Sequence, residues 1–305
     1  MSLKTNFLGI TFNNPLVLAS GVLGVTGSSL AETVRNGTGG VTTKSIWLDG
    51  HKGHPNPVII AKEQWMMNAV GLPDGGIKKA QEEFLVYRKQ TKAPLVASIV
   101  ESSIANYVKI AEQLIKFNPD VIEVNASCPN VEDEFGKPFA CDINAVSKLT
   151  AEIKKVCKNI PISIKLSPNV EDIKSIAKMC EKSGADALTV VNTFGPGLYI
   201  DTNTKRPVLA NRFGGVSGPG IFPLALKCVY DVSKTVQIPI IGTGGVTSGD
   251  DALQMIMAGA TLVGVGSAVY YRGSDVFKKI TDEMEDYLKR HKISNIEELR
   301  GIIHK

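Results

Sequence analysis

The sequence predicts an α/β fold, a (β/α)8 TIM barrel with extended loops at the carboxyl ends of its strands. Short runs rich in β-branched residues alternate with longer stretches of helical period, which is the pattern of βα units around a parallel sheet. The runs are almost entirely apolar, as expected of strands covered on both faces. The 305 residues have 43% hydrophobic content, and such barrels reach roughly 250 residues or more as one unit. We therefore expect a single domain over residues 1–305.

Eight runs qualify as strands, which is the number that a TIM barrel requires. An open doubly wound sheet is the alternative, but no GxGxxG pattern follows the first run, where SGVLGVTG is the nearest sequence. The predicted strands are 15–20, 40–45, 95–100, 121–126, 162–167, 187–193, 239–244 and 262–267.

The stretches between these runs carry apolar residues every three or four positions, which predicts amphipathic helices. Cys157 and Cys180 fall on or beside these stripes, so we interpret both as core residues. Three connections, 46–94, 127–141 and 194–217, are too long for plain βα crossovers. Each follows the carboxyl end of a strand, where long loops of barrels are usually lids or binding walls.

Composition excludes several classes of function. The net charge of +4 is a weak bias and no basic stripe is present, which argues against nucleic acid as a partner. No apolar stretch approaches the roughly 20 residues of a membrane span. The five cysteines are far apart, and His51 and His54 share a loop without a third ligand, so no metal site is predicted. A cytoplasmic location follows as the default expectation.

Polar residues and glycines gather where the predicted strands end, so they should meet on one rim of the barrel. Cys128 lies just beyond the fourth strand, where Pro129 ends easy continuation of the strand. The other residues at strand ends are Ser20, Gly21, Lys44, Ser45, Asn125, Lys165, Asn192, Thr193, Gly244, Gly245, Gly266 and Ser267.

Two lysines, Lys44 and Lys165, occur within apolar strands, where an unpaired charge is costly to bury. Lysine can protect an edge strand or extend its chain end to water, but a closed barrel has no edge. We therefore expect functional roles for both. One alternative is that Lys165, in ISIKLSP, forms a Schiff base, as in a lysine aldolase.

Glycine turns and asparagines indicate the class of ligand. GTGGV and GVGSAV follow the last two strands, and exposed backbone N–H groups there commonly bind phosphate in barrels. Asparagine offers both a donor and an acceptor, so a set of four could bind a flat heterocycle with amide edges and a carboxylate. Each is also an ordinary turn residue. The four are Asn68, Asn125, Asn130 and Asn192.

Taken together, these segments closely resemble the family-1 dihydroorotate dehydrogenases, the FMN enzymes of pyrimidine biosynthesis. The similarity covers nearly the whole chain, and the combination of NASCPN, NAVGL and TTKS is highly specific, whereas the glycine turns alone would fit any FMN barrel. The matching segments are NPLVLASG, TTKSI, NAVGLPDGG, VNASCPN, IKLSP, VVNT, GGVSGPGI, GTGGVTSGDDA and GVGSA.

The resemblance implies residue roles in the oxidation of (S)-dihydroorotate to orotate. Cys128 would be the general base at C5 while C6 gives hydride to flavin N5, and Lys165 would stabilise negative charge on reduced FMN. The pyrimidine would contact Lys44, Asn68, Gly71, Leu72, Asn125, Asn130, Asn192 and Thr193. The flavin and its phosphate would contact Ser20, Gly21, Lys44, Ser45, Asn125, Lys165, Val191, Gly218, Gly244, Gly245, Gly266 and Ser267.

The resemblance also implies partners. GGVSGPGI is similar to class 1B catalytic subunits, which form a homodimer core and pass electrons to NAD through a subunit carrying FAD and a 2Fe–2S cluster. GLPDGG and FGKPFACD are somewhat closer to the fumarate-using class 1A, and we favour 1B. An FMN barrel acting on another pyrimidine, such as dihydrouracil, and a flavin-free aldolase or binding barrel remain the alternatives. Cys141, in the same loop as Cys128, is interpreted as structural.

Overall fold

The computed structural model of the protein describes residues 1–127 and 139–305. Its strands are β1 (Thr5–Phe7), β2 (Ile10–Phe12), β3 (Leu16–Leu18), β4 (Gly40–Thr42), β5 (Ile59–Ala61), β6 (Met66–Asn68), β7 (Leu95–Ile99), β8 (Val121–Val124), β9 (Ile162–Lys165), β10 (Ala187–Val190), β11 (Phe194–Leu198), β12 (Ile200–Asp201), β13 (Arg206–Pro207), β14 (Phe213–Ser217), β15 (Ile240–Thr243) and β16 (Leu262–Val265). Its α-helices are α1 (Gly27–Arg35), α2 (Gly76–Gln90), α3 (Ile104–Leu114), α4 (Ile143–Val156), α5 (Ile173–Lys182), α6 (Phe222–Ser233), α7 (Gly249–Met257), α8 (Ala268–Arg272) and α9 (Val276–His291).

Eight parallel strands close into a barrel in the order β3-β4-β7-β8-β9-β10-β15-β16, and β16 pairs again with β3. The predicted TIM barrel is confirmed, and each of the eight predicted strands contains one of these strands. The observed strands end one to three residues earlier than predicted; β4, for example, ends at Thr42. The reason is that residues such as Lys44 and Asn125 leave the regular ladder to line the rim.

The amino-terminal hairpin of β1 and β2 covers the opposite end of the barrel. Phe7 and Phe12 are fully buried there, with their rings edge to face at 6.2 Å. They pack against the first inward-facing residues of the barrel strands, including Val17 and Val96. Because this end is filled by apolar side chains, a ligand has access from the carboxyl ends of the strands.

Two of the long connections form a four-stranded antiparallel sheet in the order β11-β14-β6-β5. Its central pairing joins distant parts of the chain, with Gly215 opposite Asn68 and Ser217 opposite Met66. The sheet brings both connections to one side of the barrel rim, as expected for a binding wall. The third connection, 127–141, falls mostly outside the described residues.

The helices cover the barrel with the apolar stripes that the sequence indicates. Cys157 and Cys180 are buried in the main hydrophobic cluster, so their interpretation as core residues is confirmed. Burial raises the pKa of Cys157 to about 11 and that of Cys180 to about 12, which keeps both as thiols at neutral pH. No helix in residues 1–127 or 139–305 combines the length and the apolar character needed to cross a membrane.

Packing of α1 against α2 depends on Gly27, and we predict that Gly27→Ala lowers the free energy of unfolding. A methyl group there would overlap the backbone carbonyl of Glu83 and lie 2.7 Å from the backbone nitrogen of Tyr87. Such overpacking costs about 1–3 kcal/mol. Urea unfolding measures the change, and Gly50→Ala, where a Cβ would meet no atom nearer than 3.4 Å, is the matched control. Equal stability of the two variants would contradict this packing.

Candidate functional site

The carboxyl ends of the barrel strands and the antiparallel sheet enclose a long open pocket, which we call the cleft. Its empty volume is about 1310 Å³, including space open to solvent. The predicted site residues that line it are Ser20, Gly21, Lys44, Ser45, Asn68, Gly71, Leu72, Asn125, Lys165, Val191, Asn192, Thr193, Gly244, Gly245, Gly266 and Ser267.

Among the described residues, Gly218 is the one predicted site residue that does not line the cleft. Cys128 and Asn130 lie outside the described residues. Gly218 comes one residue after Ser217, which does line the cleft. A Cβ at Gly218 would lie 2.9 Å from the Cα of Trp65, so this glycine packs against the segment that leads into β6.

Lys165, at the end of β9, has a buried carboxylate beside it. The distance from its Nζ to Oε1 of Glu123 is 3.8 Å, and the two side chains are 8% and 3% exposed. Glu123 lies on the neighbouring strand β8, where the register places it between Ser98 on β7 and Ser163 on β9. A buried charge is tolerated when it is paired and hydrogen-bonded, and Glu123 has both kinds of partner.

Two hydroxyl groups donate hydrogen bonds to this carboxylate. Ser98 Oγ donates to Oε1 at 3.1 Å and Thr189 Oγ1 donates to Oε2 at 3.0 Å. Ser98 Oγ is also 3.0 Å from Ser45 Oγ, which accepts a hydrogen bond from Nδ2 of Asn125 at 2.9 Å. A buried polar network therefore connects Glu123 to an amide that lines the cleft.

The same network continues to a second amide in the cleft. Oδ1 of Asn125 accepts a hydrogen bond from Ser127 Oγ at 3.2 Å. Nδ2 of Asn192 donates to Ser127 Oγ at 2.9 Å, and its Oδ1 accepts from the backbone N–H of Thr193 at 2.7 Å. We call this series the polar chain; its members are Asn192, Ser127, Asn125, Ser45, Ser98 and Glu123.

Lys44 differs from Lys165 in its surroundings. Within the described ranges, no acceptor lies at hydrogen-bonding or ion-pairing distance from its Nζ. Burial lowers the pKa of Lys44 from the ordinary value of 10.5, and the negative charge of Asp74 opposes that shift. A half-buried ammonium group without a close partner, facing a cleft, suits an anionic ligand.

The segment from Asn68 to Leu72 is held against the cleft by two aromatic side chains. Nε1 of Trp47 donates to the carbonyl of Leu72 at 3.0 Å, and Nδ1 of His54 lies 3.0 Å from the carbonyl of Ala69. Gly71 has φ +73°, and a Cβ there would lie 2.6 Å from the backbone nitrogen of His54. Only glycine therefore fits this position.

The side chains of His51 and His54 contact other protein groups. The ring of His51 stacks on Trp47 with centroids 4.5 Å apart, and His54 faces the carbonyl of Ala69. Among the residues that the structure describes, no group of three His, Cys, Asp or Glu side chains could hold a metal ion.

The glycine turns after β15 and β16 expose backbone N–H groups to the cleft. In residues 1–127 and 139–305, no protein group accepts a hydrogen bond from the N–H of Gly244, Gly245, Gly266 or Ser267. Gly245 has φ +74°, and a Cβ there would lie 2.6 Å from the backbone nitrogen of Phe222. These unpaired donors can bind an anion such as phosphate.

Sequence reasoning missed several residues of the site. Glu123 is a charged residue in the apolar run VIEV, so the argument applied to the two lysines would have identified it as well. Ser98 and Thr189 gave no signal, because small hydroxyl residues are common in strands. Missed residues that line the cleft include Met66, Gly215, Ser217 and Thr243, and β6 and β14, which supply the first three, were not predicted.

Comparisons with known proteins identify relatives over the whole chain. The sequence model of the family described as dihydroorotate dehydrogenase matches residues 2–288. The dihydroorotate dehydrogenase B (NAD(+)) catalytic subunit of Methanocaldococcus jannaschii is 40% identical, covering 99% of this chain and 98% of that protein. The protein of the same name from Methanosarcina mazei is 42% identical, covering 97% and 93%.

A solved structure supports the fold. The crystal structure of DHODH from Eimeria tenella, in complex with ferulenol, matches with a TM-score of 0.87. The alignment covers 99% of this chain and 89% of that chain, at 23% sequence identity. The barrel is therefore shared well beyond the range of close sequence similarity.

We predict that Lys44 makes the free energy of unfolding of the ligand-free protein vary with pH in the alkaline range. Because its pKa is lowered by folding, the unfolded chain binds more protons between that pKa and 10.5, so stability rises with pH across this window. The unfolding free energy of wild type minus that of Lys44→Met should therefore increase as the pH rises through this window. Urea unfolding at several pH values measures it. Lys148→Met, which removes an exposed lysine on α4, should show a flat difference. A flat difference for Lys44→Met would contradict the prediction.

Proposed function

This chain belongs to the dihydroorotate dehydrogenase family, and we propose that it oxidises (S)-dihydroorotate to orotate in pyrimidine biosynthesis, with FMN as its cofactor. The observation that carries the proposal is the cleft itself. It brings Lys44, Lys165, Asn68, Asn125 and Asn192 together at the carboxyl end of one barrel. These are the charges and amides that a planar, carboxylate-bearing pyrimidine and a flavin require.

The residues of the cleft fit FMN. The unpaired N–H groups of the turns at Gly244 and Gly266 suit a phosphate, and Lys165 supplies a positive charge deep in the barrel. Oγ1 of Thr243, which lines the cleft, is buried and has no hydrogen-bond partner among the described residues. FMN would supply the acceptor for the hydride, while the protein binds and orients.

We assign substrate binding to the side of the cleft formed by β6, β8 and β10. Asn68, Asn125, Asn192 and Thr193 lie there, with Gly71 and Leu72 in the segment held by Trp47 and His54. Lys44 would hold the carboxylate of the substrate, because its ammonium has no close partner in the part of the chain that the structure describes. Asn130 belongs to the same proposed set and lies outside the described residues.

Cofactor binding is assigned to the other side, around β3, β15 and β16. Ser20 Oγ is held by the carbonyl of Thr43 at 2.8 Å, which fixes the turn at Gly21. Lys44, Ser45, Asn125, Lys165 and Val191, which lie towards the substrate side, would line the ring. The turns Gly244–Gly245 and Gly266–Ser267 would hold the phosphate, and Gly218, beside Ser217, stays a prediction.

We assign the role of general base to Cys128, which follows Ser127 in the sequence. Oxidation of dihydroorotate removes a proton from C5 and a hydride from C6. The base must lie on the substrate side of the cleft, and Ser127, the residue before Cys128, is hydrogen-bonded to Asn125 and Asn192 on that side.

The names of the two relatives favour class 1B. Both are catalytic subunits of an enzyme that uses NAD(+), which implies a separate electron-transfer subunit with FAD and a 2Fe–2S cluster. We propose the same partner here, a homodimer core, a single domain over residues 1–305, and a cytoplasmic location. The chain has no closely spaced cysteine pair that would hold such a cluster itself.

The first test is anaerobic mixing of the purified yellow protein with dihydroorotate. Loss of the visible flavin absorbance is the expected result, and reoxidation by NAD only in the presence of the partner subunit would establish class 1B. Reoxidation by fumarate alone would indicate class 1A instead. Bleaching by dihydrouracil and not by dihydroorotate would favour the related pyrimidine reaction, and a colourless protein that cannot be reconstituted with FMN would overturn the flavin assignment.

We further predict that Cys128→Ser binds FMN and orotate normally but reduces its flavin about 100-fold more slowly at neutral pH, since a serine hydroxyl is a much poorer base than a thiolate. Stopped-flow absorbance under anaerobic conditions measures the rate. Cys228→Ser, a change on α6, is the matched control and should react at the wild-type rate. An unaltered rate in Cys128→Ser would remove this residue from the mechanism.

A further inference from the structure

Glu123 is a carboxylate within the barrel, only 2% exposed, that does not itself line the cleft. A purely apolar residue would fill this position at lower cost, since a buried charge needs compensation. Among the residues that the structure describes, the partners of Glu123 are Lys165, which lines the cleft, Ser98, which leads towards it, and Thr189 on a separate branch. The role of Glu123 therefore depends on what these partner groups do at the cleft.

The hydrogen bonds of the polar chain all run in one direction. Ser98 donates to the carboxylate of Glu123 and therefore accepts from Ser45 in their shared contact. Ser45 in turn accepts from Nδ2 of Asn125. Each hydroxyl has one proton, so once Ser98 gives its proton to Glu123 the order of the preceding bonds is fixed.

The direction is maintained in the second half of the polar chain. Because Nδ2 of Asn125 points to Ser45, its Oδ1 faces Ser127, which donates to it. Ser127 then accepts from Nδ2 of Asn192, and Oδ1 of Asn192 faces the N–H of Thr193. The amide orientation of Asn125 is thus tied to a group that can only accept hydrogen bonds, whereas Asn192 is also held by the N–H of Thr193, which can only donate.

We propose that Glu123 is a positioning residue of the cleft: its carboxylate holds Lys165 and, through Ser98 and Ser45, fixes the orientation of the Asn125 amide, which lines the cleft with Asn192. The inference rests on the proposed function, in which these amides bind the pyrimidine. A carboxylate accepts only, so one orientation is stable. Glutamine has the same shape but can also donate, and it would permit the reversed orientation of Asn125, while the N–H of Thr193 continues to hold Asn192.

A pair of serine variants tests the connection without changing a charge. Ser98→Ala cuts the polar chain between Glu123 and Ser45. Ser163→Ala is the matched control, because Ser163 is equally buried and contacts Thr189 at 3.0 Å, on the branch that does not reach an asparagine. Each variant is purified with FMN, and orotate affinity is measured from the perturbation of the flavin spectrum.

We expect Ser98→Ala to weaken orotate binding roughly tenfold, as for the loss of about one well-placed hydrogen bond, with Ser163→Ala close to wild type. Thermal unfolding of both variants shows whether they are equally stable. Equal orotate affinity for the two variants would overturn the proposal, even if both were less stable than wild type.

A second pair tests the carboxylate itself. Glu123→Gln should weaken orotate binding more than Ser98→Ala and should move the FMN midpoint potential to a more positive value. The reason is that the positive charge of Lys165 then lacks its counter-charge. Glu101→Gln is the control: Glu101 is also a buried carboxylate, but it binds the backbone N–H of Leu48 and does not line the cleft.

The outcomes separate this inference from the proposed function. Suppose that dihydroorotate bleaches the wild-type protein and that Glu123→Gln leaves both the orotate affinity and the FMN midpoint potential unchanged. That result would overturn the positioning role alone. Wild-type protein that neither bleaches nor binds orotate would overturn both.

Discussion

Closure of the parallel barrel is the constraint on which the site depends. Eight parallel strands that pair in a ring must all end on the same rim, so residues far apart in sequence become neighbours without any specific attraction between them. Lys44, Asn125, Lys165 and Asn192 come from four different strands. The hairpin of β1 and β2 fills the other end with phenylalanine, which leaves the rim as the accessible side.

Closure of the barrel also explains why buried polar groups are tolerated inside it. Glu123, Ser98 and Ser163 are placed in register on adjacent strands, so each finds a partner within one strand spacing. A carboxylate alone at this depth would be strongly destabilising. The neighbouring hydroxyls and Lys165 reduce that cost, and in return their own positions become fixed. The fixed orientation of the Asn125 amide therefore follows from the need to satisfy one buried charge.

The sequence was sufficient to predict the barrel and most of the cleft, because apolar runs and strand-end residues are local signals. It was not sufficient for the antiparallel sheet, since the pairing of β6 with β14 joins segments about 150 positions apart whose local patterns are weak. Glu123 could have been predicted from its position in an apolar strand. The direction of its hydrogen bonds could not, because it depends on hydroxyl groups of two other strands.

The two lysines show how the same residue type serves different needs in one cleft. Lys165 is held by Glu123, so its charge is balanced in the protein and its position is fixed before a ligand arrives. Lys44 has no such partner among the described residues, and burial lowers its pKa. An anion that approaches Lys44 supplies the missing counter-charge and relieves that destabilisation, whereas one that approaches Lys165 competes with Glu123. Discrimination for a carboxylate-bearing ligand should therefore reside at Lys44, and Lys165 is better suited to a group whose negative charge develops during the reaction.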